Sequence, residues 1–450
     1  MTHNGNGRAQ WSSRLLFVLV ASGSAVGLGN IWKFPYMAGK GGGGAFVLVY
    51  LLCILFIGLP IFLAELYIGQ QAQSNPVSAF EKMHKPKTPW RFIGLLGVIS
   101  AYLILSFYSV VGGWVLDFSY QALTNQFSSL TQEGIQNILT ALFADPARQI
   151  IWQFIFLGVS VYVVAQGVVK GIERASKILM PILGILLFFL FIRAIFLSGA
   201  KEAIVFLFVP NFSLLTPKII LEAVGQAFFT LSLGIGAMMI YGSYLKKSEN
   251  LLKVSFLVVL LDTGIALVAG FVVFSIVFTF KFQPEAGPAL MFQTLPMIFS
   301  QMPASYFVAV AFFLLVAFAA LTSAFSLLEI IISWKSEQFN VSRKKAAIIS
   351  GIILFGLGLL TAMSTNVLSQ VTFYGLTFFE VFDKLTTSVF MPLGGILFAV
   401  FYGWVLGPKA VRATVNQNKV TRHFFIVVLW LVRIVAPGAV AIMMISGLFF

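Results

Sequence analysis

"ASGSAVGLGNIWKFP" runs from Ala21 to Pro35 inside the first membrane-length apolar run of the chain, and it brings Ser22, Gly23, Ser24, Gly27, Gly29, Asn30 and Lys33 into a segment that otherwise reads as a lipid-spanning helix. Glycine costs an interior helix position about 1 kcal/mol relative to alanine. In lipid, any backbone group freed by a break must find another partner, so broken backbone at membrane depth persists only where it is buried in protein or lines a cavity. The competing reading of Gly23 to Gly27 is a GxxxG face that lets two helices approach closely. A second interruption, "TLSLGIG" at Thr230 to Gly236, lies near the middle of the sixth apolar run. Two such breaks, the polar Asn30 after the first, and Thr and Ser residues in runs six and eight favour a site over a packing face.

Composition sets the surroundings. Of 450 residues, 59% are hydrophobic and 10% charged, against roughly 25% charged in an ordinary soluble domain. The expected class is an all-α integral membrane protein. Eleven spans are read at 12–37, 42–72, 90–124, 149–168, 174–198, 219–245, 251–280, 304–334, 344–364, 380–406 and 423–449, each long enough to cross about 30 Å of hydrocarbon. With breaks in the first and sixth, the expected organisation is one transmembrane domain over 1–450: inverted five-helix repeats at 12–198 and 219–406, and an appended helix at 423–449. The repeat rests on the pattern of breaks, since the halves share no convincing identity. The loop Phe282–Pro303 is too short and Pro-interrupted to span, and is read as a re-entrant piece or a cap over an outer vestibule; Gln121–Arg148 is the other sizeable outer loop.

The net charge of +14 would point to nucleic acid in a soluble protein. Here its placement makes it a topology signal. With the N-terminus in the cytoplasm, 20 of the 29 Lys and Arg fall on the cytoplasmic side, from Arg8 and Arg14 through the clusters at 82–91, 170–177, 246–253, 335–345 and 409–422. The C-terminus then lies outside. The first run, preceded by Arg8 and Arg14, is too long for a signal peptide and is read as retained. His3 and His84 fall outside the spans, His423 stands at the very start of the last, and Cys53 is the single cysteine, so a disulfide framework and a Cys/His metal cluster are excluded.

At a helix break, free N–H groups and a positive dipole end face free carbonyls. The N–H groups suit a carboxylate, while carbonyls with Asn, Thr and Ser oxygens suit a hard cation. A zwitterionic amino acid beside Na+ fits this environment better than a sugar or a fatty acid.

"WSSRLLFVLVASGSAVGLGNIWKFPY", the following "GGGGAFVLVY", "FFTLSLGIGAMMIYGSY" in run six and "ALTSAFSLL" in run eight together resemble the neurotransmitter:sodium symporter family in its eleven-helix prokaryotic form. The resemblance implies a sodium-coupled symporter working by alternating access in the plasma membrane. It implies a first sodium site from the carbonyl of Ala25 with Asn30, Thr230 and Asp262, completed by the substrate carboxylate, and a second from the carbonyls of Gly23, Val26 and Ala319 with the hydroxyls of Thr322 and Ser323. The alternative for Thr322 and Ser323 is back-bonding within their own helix. The implied substrate pocket comprises Ser24, Ala25, Gly27, Ile104, Tyr108, Phe229, Thr230, Ser232, Ile235, Ala324 and Leu327, with Tyr108 bonding the carboxylate and Phe229 covering the ligand. Relatives that carry monoamines resemble one another in having an acid where Gly27 stands. A glycine leaves room for an amino acid's own carboxylate, and the apolar remainder implies a hydrophobic or aromatic L-amino acid.

Three departures qualify the resemblance. Asp262 stands where many relatives have Asn; Tyr50 and Gln226 match chloride ligands of animal relatives, and Ala266 lacks the acid of some bacterial ones, so Asp262 would supply the missing charge and no chloride requirement is expected. Lys33 replaces an arginine paired with an acid, here Asp383, in an outer gate, and lysine loses the bidentate geometry, leaving a weaker or water-mediated gate. Arg8, Trp11, Tyr244 and Glu337 match the inner gate, although Arg8 also reads as a positive-inside charge. Glu65, in "AELYIGQ", would by default be a proton-relay candidate; the resemblance makes it structural, an acceptor for the unwound backbone of run one or six.

An enzyme is not expected, because there is no H-E-x-x-H, no G-x-S-x-G and no histidine within a span. "GKGGGG" at 39–44 lacks the ending of a phosphate loop. An ion channel is the better rival, distinguished by Na+ currents far exceeding any substrate flux. Oligomeric state is not readable from the sequence.

Overall fold

The computed structural model describes residues 8–129, 131–281, 290–416 and 422–449. Among these, the chain is helical throughout, apart from one isolated bridge between Phe373 and Leu376. We label the principal helices α1 (Arg14–Ala25), α2 (Gly29–Lys40), α3 (Gly44–Ala72), α4 (Arg91–Leu123), α5 (Pro146–Ala165), α6 (Val168–Ile195), α7 (Pro217–Thr230), α8 (Ala237–Gly242), α9 (Leu251–Thr279), α10 (Ser305–Gln338), α11 (Arg343–Thr365), α12 (Phe378–Val405), α13 (Gly407–Asn416) and α14 (Arg422–Gly447). Nine of the described helices are each long and apolar enough to cross a bilayer, and α1 with α2 forms a tenth crossing bent by 57°. The remaining expected span, the sixth at 219–245, divides into α7 and α8, neither long enough alone. The two interrupted segments are thus the first and the sixth.

Local chemistry sets the helix starts. Ser13 caps α1 through Leu16 N, Asn250 caps α9, Ser342 caps α11, and Thr377 with Glu380 forms a reciprocal capping box on α12. The fifth span begins at Val168 rather than 174, because Gly167, at φ 100°, starts a turn through Val168–Glu173 that carries Lys170 and Glu173. Hydropathy hides that turn from the sequence.

Burial separates core from periphery. The most apolar windows of α4 and α10 are 72% buried within the protein, those of α6 and α14 only 28%. α4 and α10 pack extensively against each other, and α1, α5 and α6 also contact α10. The broken segments lie against this central pair. Of the loop 282–303, residues 282–289 lie outside the described residues; Leu290–Gln301 forms a short buried helical cap, with Phe292 5.0 Å from Phe118 and Phe299 5.3 Å from Phe312 between ring centroids. The loop 121–148 contains a helix at Gln132–Ala144 and ends on Arg148, whose guanidinium forks onto the buried Asp117 of α4 at 2.7 and 2.8 Å.

Candidate functional site

The first break occupies Val26 to Leu28. Val26 is extended, with φ −69° and ψ 104°. The Gly27 N–H is satisfied by Asn30 Oδ1 at 3.1 Å, and Asn30 N donates to Gly27 O at 3.2 Å. The second break occupies Leu231 to Gly236, where Ser232, Gly234 and Gly236 all have positive φ, at 52°, 84° and 78°. A serine held there is strained backbone of the kind that persists where surroundings over-determine it. Those surroundings include Glu65 of α3: its Oε1 accepts from Gly234 N at 2.7 Å and its Oε2 from Met238 N at 3.2 Å. Glu65 therefore serves the sixth-segment break, not the first. On the other side of the loop, a Cβ on Gly234 would run into the carbonyl of Met391, and one on Gly394 into the carbonyl of Gly234, so the unwound segment lies backbone to backbone on α12.

Asp262, fully buried on α9, joins the two breaks. Asn30 Nδ2 donates to its carboxylate at 2.7 Å and to its carbonyl at 3.1 Å, and Thr230 Oγ1 donates to the carboxylate at 3.1 Å. No lysine or arginine among the described residues pairs with it. A buried carboxylate costs about 2.5 to 3.5 kcal/mol by insertion scales unless a cation compensates it. The donor set converging there is all oxygen, apart from the Asn30 amide, and no group of three or more His, Cys, Asp or Glu able to hold a metal occurs among the described residues. Such chemistry fits an alkali cation and not a transition metal. Beside it, the Tyr50 hydroxyl and Gln226 Oε1 are buried without hydrogen-bond partners, while Gln226 Nε2 bonds Gly29 O at 3.0 Å.

The second oxygen cluster joins α1 to α10. Ser323 Oγ lies 3.3 Å from Val26 O and 3.2 Å from Ser24 O. Thr322 Oγ1 back-bonds to Phe318 O and Ala319 O at 3.0 and 3.1 Å, the local alternative for this residue. A Cβ on Gly23 would touch Met180 Sδ at 2.8 Å and Thr322 Cβ at 3.4 Å, which puts Gly23 against α10 as well.

Between the breaks lies a cavity of about 40 Å³ lined by Ala25, Gly27, Leu28, Gly29, Ile104, Tyr108, Phe229, Ser232, Ile235, Ser323, Leu327 and Met391. None is charged. The lining includes eight of the eleven residues named from sequence for the pocket, together with Ser323, named there as a sodium ligand; Ser24, Thr230 and Ala324 do not line it. Ser24 contributes its carbonyl to Ser232 and Ser323, Thr230 turns to Asp262, and Ala324 is fully buried beside Ser323 and Leu327, which share one face four residues apart. Sequence reading named neither Leu28 nor Gly29 for the pocket, and it missed the wall residue Met391. Its signal was the pair Gly394–Gly395 just beyond it, where another backbone approaches. Tyr108 OH is buried and unpartnered. A Cβ on Gly27 would come within 2.5 Å of Ser323 Oγ and 3.2 Å of Tyr108 OH. Gly27→Ala is therefore expected to displace both hydroxyls and weaken substrate binding by at least tenfold with the fold intact, a result read by ligand-binding titration beside thermal unfolding.

Phe229 and Met391 also line a larger cavity of about 490 Å³ on their far side, between α2, α7, α12 and α14. They form the partition between the two. Lys33 Nζ sits 3.8 Å from the Phe229 ring centroid. The expected Lys33–Asp383 gate is not a direct ion pair, since none within 4 Å joins these residues; lysine has no fork to span to the acid, and its ammonium lies on the ring instead.

At the opposite end, Arg8 Nη1 meets Glu337 Oε1 at 2.5 Å, its Nε donates to Ser243 Oγ at 3.1 Å, and its guanidinium lies 4.6 Å from the Tyr244 ring centroid. Trp11 N donates to Tyr244 O at 3.1 Å and Trp11 Nε1 to Tyr241 O at 3.0 Å. Burial pushes the Arg8 guanidinium down, but Tyr244, Glu337 and Glu329 outweigh it and hold Arg8 above the ordinary arginine value. A raised base stays charged at all pH values below that raised value. Behind this pair lies a group not anticipated: Tyr244 OH donates to Glu329 at 2.6 Å, and Arg343 forks onto the same fully buried carboxylate. Glu329 is an acid in an apolar run, the very signal that singled out Glu65. Arg8→Ala is expected to expose this end: a cysteine at Ser243, in a Cys53→Ala background, should label with a soluble maleimide several-fold faster than with Arg8 present.

Broken first and sixth segments enclosing a small, mainly apolar cavity beside two oxygen clusters define a membrane transporter of the broken-helix kind. The sequence profile of the Sodium:neurotransmitter symporter family matches residues 8–137 and 142–449, and the chain belongs to that family. It is 40% identical over 438 residues to the uncharacterized sodium-dependent transporter YhdH of Bacillus subtilis, covering 97% of each chain, and 35% identical over 462 residues to an uncharacterized sodium-dependent transporter of Haemophilus influenzae, covering all of each. Its fold is similar to the crystal structure of MhsT in complex with L-phenylalanine, with a TM-score of 0.90, 44% identity and coverage of 98% of this chain and 100% of that one. The protein is a multi-pass, sodium-dependent symporter and not an enzyme.

Proposed function

We propose that this symporter imports a hydrophobic or aromatic L-amino acid across the plasma membrane by alternating access, two Na+ per cycle, without chloride. The N-terminus is cytoplasmic and the C-terminus outside, and the two five-segment halves, 12–198 and 219–406, move about the shared site. The observation that carries the reading is the uncharged cavity at the two breaks, walled by Ile104, Phe229, Ile235, Leu327 and Met391, with Tyr108 OH unpartnered at one side. A charged side chain would have no partner in it; an aromatic or branched one would. The L-phenylalanine in MhsT supports the same class. One sodium would lie against Asp262, Asn30, Thr230 and the Ala25 carbonyl beside the substrate carboxylate, the other against Gly23, Val26, Ala319, Thr322 and Ser323, tying α1 to α10. In this orientation Lys33 and Phe229 close the outer side, and Arg8, Trp11, Tyr244 and Glu337 the inner.

Symport is energetically sufficient. At about 100 mV each Na+ releases about 2.3 kcal/mol from the potential and about 1.4 for each tenfold gradient, so two ions drive steep accumulation of a neutral zwitterion. Proteoliposomes with an inward Na+ gradient should accumulate phenylalanine, leucine or a similar amino acid. Equal uptake with choline or K+ outside, or uncoupled Na+ currents far larger than substrate flux, would overturn the reading.

A further inference from the structure

Beyond Asp383 the chain carries no further Asp or Glu, yet it holds Lys384, Lys409, Arg412, Lys419, Arg422 and Arg433. Arg433 is unlike the rest, because it lies inside the apolar helix α14, eleven residues past its start. Its Nε donates to Gly403 O at 2.8 Å, and its guanidinium lies 4.7 Å from the centroid of Trp404, whose indole N–H donates back to Arg433 O at 3.3 Å. Gly403 and Trp404 belong to the last turn of α12, so Arg433 sits at the level where α12 leaves the bilayer. The exposed indoles of Trp404 and Trp430, at 56% and 58%, mark that same level, since tryptophan collects at the headgroup boundary. No carboxylate among the described residues lies within 4 Å of the Arg433 guanidinium. Its terminal nitrogens have no partner among the described residues, and they are not sealed in the interior.

The element that follows strengthens the field. α13 buries Ala410, Val411, Thr414 and Val415 against the end of α12 and the start of α14, and leaves Lys409 and Arg412 exposed, Arg412 5.2 Å from the Phe425 ring centroid. Arg422 is exposed at the start of α14. This corner therefore combines an arginine held by a carbonyl and an indole with further exposed cations on α13 and at the start of α14, and no acid among the described residues pairs with any of them.

We propose that the corner formed by Arg433, Trp404, Lys409 and Arg412 is a binding site for the headgroup of an anionic phospholipid, of the cytoplasmic leaflet in the orientation given above. Topology alone requires only mobile surface cations. It does not require an arginine eleven residues into α14 with its Nε and ring face already fixed and its two terminal nitrogens left without a partner among the described residues. Guanidinium is the group suited to forked recognition of a phosphodiester, and Lys409 and Arg412 supply the attraction that brings the lipid in, at about 1 kcal/mol per basic residue near an anionic surface.

The test is native mass spectrometry of the detergent-purified full chain titrated with phosphatidylglycerol, phosphatidylcholine or inorganic phosphate, which needs no transport and no assumed orientation. Phosphatidylglycerol should be retained as one tight copy; phosphatidylcholine should not. Arg433→Gln should weaken that copy at least tenfold, Arg433→Lys should restore it in part, and Lys409→Gln with Arg412→Gln should weaken it by about fivefold per charge. Equal retention of phosphatidylcholine overturns the proposal, as does unchanged phosphatidylglycerol binding in Arg433→Gln. Displacement of the lipid by millimolar phosphate would make the site one for a soluble anion and overturn it too. Should Arg433→Gln fail to fold, unchanged binding in the Lys409/Arg412 double variant, which alters only exposed side chains, decides against it.

Discussion

Glu65→Ala should leave a protein that inserts in the membrane but binds substrate at least thirtyfold more weakly and unfolds at a clearly lower temperature. The carboxylate accepts from Gly234 N, within the sixth-segment break, and from Met238 N, in the first turn after it. Neither has a substitute within the loop, because Ser232, Gly234 and Gly236 hold it in left-handed backbone that directs these amides away from any helical partner. An unsatisfied buried amide costs about 1–3 kcal/mol, so losing both acceptors removes enough free energy to disorder the loop that supplies Ser232 and Ile235 to the cavity. Glu65→Gln should fall between, since its amide keeps one acceptor oxygen and turns a donor toward the second N–H. The measurements are equilibrium substrate binding and thermal unfolding. The pH dependence of residual transport should match that of the unaltered protein; a selective change in the pH profile with stability retained would restore Glu65 to a proton relay.

Much of this site could be read from residues alone because the breaks announce themselves. Gly-X-Gly within a lipid-length run is unfavourable as helix, and the first and sixth segments fail in the same way, so the place where function gathers was visible before any contact was known. The spans were legible for the same reason, with boundaries displaced mainly where charged residues belong to a helix, as at Val168–Glu173. Contacts between distant segments were not. Lys33 was expected opposite Asp383, but whether an ammonium settles on an acid or on an aromatic face depends on about an ångström of helix rotation, which no spacing encodes. Arg343 looked like one more cytoplasmic charge, and only the fold shows it forked onto Glu329. Asn30 is the finer case. Its amide turns its nitrogen to Asp262, which offers only acceptors, and this leaves Oδ1 to satisfy Gly27 N. The residue types were evident in the sequence; the direction of the amide follows from the carboxylate it faces.

That carboxylate underlies the last expectation. Asp262→Ala should lower the sodium affinity of substrate binding by two to three orders of magnitude, whereas Asp262→Asn or Asp262→Ser should recover part of it in chloride and little in gluconate. A unit charge at 4 Å under an effective dielectric of 20 is worth about 4 kcal/mol, or nearly a thousandfold in affinity, and Asp262 is fully buried with no basic residue among the described ones paired to it. The chloride arm follows from what surrounds it. Tyr50 OH lies beside the Thr230 and Thr263 hydroxyls, and among the described residues Tyr50 OH and Thr263 Oγ1 are buried without a well-formed hydrogen bond. With the carboxylate present, the fixed negative charge beside the sodium is built into the chain and an added anion would meet repulsion. With a neutral residue there, hydroxyl donors remain and the charge is missing, so a small anion becomes the favourable replacement. Scintillation binding of the radiolabelled substrate over a sodium titration, in chloride and in gluconate, separates the cases. A chloride requirement in the unaltered protein, or no chloride stimulation in either Asp262→Asn or Asp262→Ser, would show that the negative charge balancing sodium comes from elsewhere.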